Sequence, residues 1–438
     1  MDERINEEND RSRRRGSWRL RSWRSTEEID REAANYMRNF RSVHWFRIAR
    51  LRRPALALVA IGFNLIPGIA ARAQQAPDKD YLVYVVCESA DKIAVVRFGP
   101  KGARLDRDFT TGLHPVDIDG PHGIAFSPDR QFYYVSLGHG RPFGTLLKYS
   151  AKDDRVIGQV TLGLFPATLD VTPDGSFVYV VNFNLHGDMV PSSVSVVAAE
   201  DMIEVARIPT GTMPHGSRIN PAGTKQYSAC MMDDTLVEID TQTFKVSRHF
   251  LLTKGKEMGM SGPPNAHSSG GMEHAAHDTG GHGQEPPKPG DIGCSPTWAQ
   301  PSPDGSKVYV ACNKSSEIVE VDAKSWQISR RILAGPGVYN LAVTRDGKLI
   351  GTNKRGPSVS IFDLKTGSEL ARLPTKRKVV HGVVVSPDGR YAFVSVEGIG
   401  SEPGTVEVID LKALKTVAAV DLPEQAAGID FFKIEDPK

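Results

Sequence analysis

The chain has 438 residues, 40% of them hydrophobic, with a formal net charge of +2; this suits one large globular domain or a few ordinary ones. So even a balance gives no global electrostatic attraction to nucleic acid, and no nucleic-acid partner is expected. Basic charge is concentrated in the first 53 residues, in runs such as RSRRRGSWRLRSWR, which leaves the remainder mildly acidic.

The first element in chain order reads as an export signal. RIARLRRP (47–54) is a basic segment and ALALVAIGFNLI (55–66) an apolar run too short to span a bilayer comfortably. Ala71-Arg72-Ala73 fits the small-x-small cleavage rule and leaves Gln74 as the mature start. Residues 1–73 are thus a charged leader and signal, with translation starting at Met1 or Met37. A periplasmic or secreted protein is expected, with no stable transmembrane anchor after cleavage. Export permits disulfides, and Cys87, Cys230, Cys294 and Cys312 allow three full pairings. No C-x-x-C-H occurs, so covalent c-type haem is not expected.

From residue 74 onward the chain repeats. PHGIAFSPDRQFYYVSL (121–137), PATLDVTPDGSFVYVVN (166–182) and PHGSRINPAGTKQYSAC (214–230) are followed by PTWAQPSPDGSKVYVAC (296–312), VYNLAVTRDGKLIGTNK (338–354) and VHGVVVSPDGRYAFVSV (380–396). Each is an alternating run, a PDG-like turn and a second alternating run, which is a hairpin signature. Further strands follow each hairpin, giving four-stranded units at the period of a propeller blade. DYLVYVVC (80–87) supplies only a second strand and AAGIDFF (426–432) only a first. Joined, they complete a seventh blade and leave no open sheet edge. The expected fold is an all-β, seven-bladed propeller over 74–438, closed by its N- and C-terminal strands.

The pattern PDG-x-x-VYV-x-N resembles the YVTN repeat of bacterial seven-bladed propellers, including YncE-like proteins, over roughly residues 80–433. The resemblance is specific for fold and weak for function. It implies kinship of architecture with nitrous oxide reductase, whose propeller histidines hold copper, with haem-binding nitrite-reductase-type propellers, and with phosphogluconolactonase-like enzymes.

Aligning the repeats compares one position across blades. Six residues before the turn proline stand His122, Ala167, His215, Thr297, Tyr339 and His381, with Ala427 in the split blade. First strands line the central channel, so His122, His215 and His381 are expected to ring one mouth. Nine residues after the proline stand Leu137, Asn182, Cys230, Cys312, Lys354 and Val396, with Cys87 in the split blade. Similar turns throughout would make His215–Cys230 and Thr297–Cys312 cross-strand pairs. Imidazole and thiolate are the common ligands of copper and zinc, which makes Cys230 a further candidate, although a strand cysteine is more often a small buried apolar residue. His139 and His186 fall in loops on the same face.

Residues 253–293 interrupt the repeat with Gly, Pro, His and Met and no apolar core pattern, and disorder is expected there. Met258, Met260 and Met272 offer thioethers; His267, His274, His277 and His282 offer imidazoles. A tolerated surface insertion is the plain alternative. Cys294 follows it, as a ligand or paired with Cys230 or Cys312. Glu88, Glu397, Arg218, Lys354 and Arg355 fall near the same face, where surface charge is the ordinary reading.

Three functions remain in play. The first is an exported propeller that binds a transition metal, copper foremost with zinc or another divalent ion as alternatives, for metal handling or redox chemistry. The second is a small-molecule hydrolase or lyase resembling lactonase-like propellers. The third is a non-catalytic scaffold for a protein partner.

Overall fold

A computed structural model describes residues 76–111, 118–139, 143–264 and 293–438. The leader and signal, and the insertion's His267, Met272, His274, His277 and His282, lie outside the described residues. Among the described residues, 29 strands form seven antiparallel sheets. The fold is the expected seven-bladed propeller. The split blade joins Ala426–Glu435 to Asp80–Cys87, followed outward by Lys92–Gly99 and Gly102–Thr110. The other six blades are each contiguous in the chain.

The repeated turn has a local cause. Ser or Thr precedes the turn by one position and its hydroxyl donates to the turn aspartate, as in Thr172 Oγ1–Asp174 Oδ1 at 2.5 Å and Ser386 Oγ–Asp388 Oδ1 at 2.6 Å. The aspartate also accepts a backbone N–H two residues on, at 3.0 Å from Ser176, an Asx-type turn. In the fourth blade Ala222 stands where the aspartate would be, and Asn220 accepts from Thr224 N and Lys225 N at 2.8 and 3.0 Å instead. Apolar clusters fill the gaps between blades. One example is Tyr81, Val83, Phe393 and Phe431, which pack the seventh blade against the split one.

Every innermost strand carries a bulge at the same place. Pro121↔Leu137 is followed by Gly123↔Ser136, Pro214↔Cys230 by Ser217↔Ser228, and Val380↔Val396 by Val383↔Val394. The other four blades shift register at the equivalent point. The skipped residue is the one that is His122, Ala167, His215, Thr297, Tyr339, His381 or Ala427. A bulge leaves its extra residue outside the ladder and re-aims its side chain. This corrects the expected cross-strand pairs: Cys230 faces Pro214, not His215, and Cys312 faces Pro296, not Thr297.

The bulged residues also lock blade to blade. Their carbonyls accept hydroxyls from the preceding blade: from its second strand in Ser136 to Ala167 at 2.6 Å and Thr352 to His381 at 2.9 Å, and from its own bulged residue in Thr297 to Tyr339 at 2.7 Å. The glycine after the bulge is where strands approach most closely. A Cβ on Gly123 would collide with the Ala167 carbonyl, and one on Gly216 with that of Thr297, which accounts for the recurring His-Gly pair.

Two further expectations change. The turn in the sixth blade is one residue short, so Val338 pairs with Asn353. Asn353, not Lys354, holds the aligned slot, and its amide bonds Ser358 and Ser360 at 3.1 and 2.9 Å, as Asn182 bonds Ser193 and Ser195. The insertion also begins as ordered structure: Met258–Ser261 is a strand paired with Lys245–Leu251, making the fourth blade five-stranded. It caps that blade's edge, which otherwise presents unpaired backbone groups. At the base of the insertion, Asp234 accepts from Thr253 Oγ1, Cys294 N and Ser295 N at 2.8, 3.0 and 2.6 Å.

Candidate metal centre

The bulges of the second, fourth and seventh blades deliver His122, His215 and His381 to a common point. One ligating nitrogen from each lies within 4.8 Å of the others. The His122 ring stands 6.0 Å from His215 and 5.6 Å from His381, centroid to centroid. His215 and His381 are buried and His122 nearly so.

Two of the three imidazoles are held by a partner that orients them. His122 Nδ1 lies 2.9 Å from Glu88 Oε2. A carboxylate can only accept, so Nδ1 carries a proton and Nε2 is the nitrogen left facing the cluster. That Nε2 is buried and has no hydrogen-bond partner. His215 Nδ1 donates to the Thr297 carbonyl at 3.0 Å, which again leaves Nε2 as the acceptor. Its partner is Tyr339, whose hydroxyl is 2.9 Å from His215 Nε2 and 3.5 Å from His381 Nε2. Tyr339 is the bulged residue of the sixth blade.

Burial and the neighbouring His122 push His215 down to about 3. Burial and the nearby Lys354 ammonium hold His381 well below its ordinary value. Both are neutral imidazoles at physiological pH, the form that ligates metals. Burial pushes Tyr339 up to about 12, and Lys354 partly offsets this. Burial would raise Glu88 as well, but His122 and then His139 overrule it and set the carboxyl at about 2.

Charged residues close the rim. Glu88 also meets His139 Nε2 at 2.8 Å. Lys354 Nζ bonds Glu397 Oε1 at 2.9 Å and sits 4.4 Å from the Tyr339 ring centroid. Phe165, Phe183 and Met213 form an apolar group beside the cluster, with the Phe165 ring 5.2 Å from His122 and Phe183 4.8 Å from His215. Phe165 and Met213 adopt positive φ (51° and 52°) directly before proline, a conformation disfavoured for non-glycine residues. The His186 ring lies 5.3 Å from the His139 and Phe165 rings, tilted to the first and edge-on to the second.

Other candidates are placed elsewhere. Cys230 points into an inter-blade apolar cluster with Val181, Val194 and Ile239, and burial pushes its thiol up to about 12. It is a small packing residue there. Cys294 and Cys312 form a disulfide, while Cys87 and Cys230 are free and buried. Arg218 stacks on Trp298 beneath the cluster, and Arg355 bonds the Asn313 and Lys314 carbonyls. Sequence reasoning missed Tyr339 as part of the site, although it stood in the same aligned column as the histidines.

The fold is a seven-bladed propeller whose innermost strands bring three histidines together. Residues 43–186 match the family model described as "Lactonase, 7-bladed beta-propeller". No curated protein sequence matches the chain. Among solved structures, hydrazine synthase of Kuenenia stuttgartiensis is 20% identical with a TM-score of 0.54, covering 73% of this chain and 92% of that one. Dihydro-heme d1 dehydrogenase NirN in complex with DHE is 17% identical with a TM-score of 0.51, covering 80% and 74%. A protein of unknown function from Desulfotomaculum acetoxidans is 15% identical with a TM-score of 0.57, covering 80% and 98%. At these identities the likeness is one of fold.

Proposed function

We propose that this propeller is an exported protein that binds a first-row transition metal, copper foremost, through His122, His215 and His381, and serves metal handling or redox chemistry. The convergence of three imidazole nitrogens from three blades carries the reading. The residues fit such an ion. Two of the histidines are held neutral, and His122 keeps a buried, unpartnered Nε2 with Glu88 bonded to its Nδ1, the usual support of a metal-bound histidine. Imidazole suits copper, zinc, iron and nickel, and divalent affinities peak at copper. Such an ion supplies Lewis acidity or one-electron chemistry. Around it, Glu88 orients His122 and Phe165 keeps water from its ring. Lys354 and Glu397 place a compensated charge pair at the rim. Export is supported by the leader sequence and the Cys294–Cys312 disulfide, since disulfides persist in oxidising compartments. The Met- and His-rich composition of the insertion supports capture of metal for the centre.

The test is the metal content of mature protein isolated from copper-supplemented culture. The wild type should carry stoichiometric metal. A His122→Ala/His215→Ala/His381→Ala variant should lose it, and a deletion of 265–292 should keep it. Metal-free wild type, with no uptake at micromolar copper, would sink the reading. Loss only on the deletion would move the site off the channel mouth.

A second reading, hydrolysis of a small substrate at the same mouth, is favoured by the lactonase family match. It predicts lactone turnover that depends on Glu88 and His139. A lactone panel that shows no turnover removes it.

A further inference from the structure

We propose that Tyr339 supplies the fourth protein ligand, so that the centre is a three-histidine, one-tyrosine set; this rests on the metal reading above. Tyr339 occupies on the sixth blade the same bulged position that the three histidines occupy on theirs. Its oxygen lies 2.9 Å from His215 Nε2 and 3.5 Å from His381 Nε2. Two ligands each ~2.0–2.1 Å from one ion at a near-tetrahedral angle stand ~3.3 Å apart. The two observed separations bracket that value, and the three histidine nitrogens lie within 4.8 Å of one another. The phenol oxygen therefore already stands at ligand spacing from two of the three imidazoles.

The hydrogen-bond pattern points the same way. His215 Nδ1 donates to Thr297, so Nε2 is the acceptor and the Tyr339 hydroxyl donates to it. An ion that takes the Nε2 lone pair removes that acceptor. The phenol proton then leaves to solvent and the oxygen binds through its freed electron pair: Tyr–OH plus M²⁺ gives Tyr–O–M⁺ plus H⁺. The Lys354 ammonium beside the ring favours the negative oxygen. A hard anionic oxygen among three imidazoles disfavours Cu(I), which prefers thiolate and thioether, and favours Cu(II) or Zn.

The probe is a Cu(II) salt added to the full mature chain, read by visible absorption, resonance Raman and copper content. Wild type should show a phenolate-to-copper charge-transfer band with tyrosine Raman modes. Tyr339→Phe, checked for fold by circular dichroism, should still bind copper but lose the band, with affinity about tenfold weaker or more. Copper uptake without the band, or a band that survives Tyr339→Phe, overturns the tyrosine ligand and leaves the histidine centre standing. No uptake by the wild type overturns the metal reading and this one with it.

Discussion

Arg97→Met is expected to loosen the closure of the ring. Arg97 lies on the third strand of the split blade and bonds a carboxylate from each of the other three strands. Its contacts are Asp80 at 3.0 Å, Asp106 at 2.8 Å and Glu435 at 2.7 Å. The Arg97 and Asp80 side chains are only 4% and 2% exposed. Methionine fills similar space but leaves these carboxylates facing one another without the cation. Breaking a buried ion network by removing one partner costs about 3–5 kcal/mol. At an unfolding entropy of ~2.1 cal/mol/K per residue, a unit the size of Arg72–Lys438 shifts by about 1.3 °C per kcal/mol. Differential scanning calorimetry at pH 7 should therefore show Tm lower by about 4–6 °C.

The pH dependence follows with a definite sign. Burial would raise Glu435, but Lys433, Arg97 and Lys438 override it and set the carboxyl at about 2; the Arg97 hydrogen bond holds Asp106 below its usual range. Depressed carboxylates stabilise the fold above their unfolded values near pH 4, and that contribution is lost as pH falls toward 2. The gap between wild type and variant should shrink on acidification. A Tm within one degree of wild type at pH 7, or a gap unchanged at pH 3, would refute the clamp.

Two further outcomes are expected. Glu88→Gln should leave the fold intact but weaken metal binding about 10–100-fold, as loss of a carboxylate behind a ligating histidine does; competition against a calibrated chelator measures it, and unchanged affinity would remove Glu88 from the site. Cys294→Ser/Cys312→Ser opens a loop closed across a sequence separation of 18, worth ~3 kcal/mol by chain entropy. Calorimetry should place the variant about 4 °C below oxidised wild type and level with reduced wild type.

The repeat made the propeller legible because strand alternation and Ser-x-Asp turns are written in the sequence. The split blade was equally plain: 80–87 is a strand as read, and its partner runs from Ala426 three residues further than expected, to Glu435. Register was not legible. A bulge leaves no residue-type signal of its own, so His215 was set opposite Cys230 when Pro214 stands there. The shorter turn before Lys348 shifted the sixth blade by one residue and hid the equivalence of Asn353 with Asn182. Met258–Ser261 is a strand because the outer edge of its blade offers backbone partners; four residues reading MGMS carry no such signal themselves. The three histidines were found because their column could be compared within one chain. Tyr339 stood in the same column and was passed over, since a buried tyrosine commonly serves as packing.

The recurring bulge has a consequence for how such a centre arises. Four blades hand a side chain to the same point, and the innermost strand is bulged at that place in all seven, whether the residue is histidine, tyrosine, threonine or alanine. The centre is then a word written over seven places of one scaffold. Ala167 and Ala427, on either side of His122, are blank letters. Both are fully buried among apolar neighbours, so a larger side chain written at either place would have to displace them.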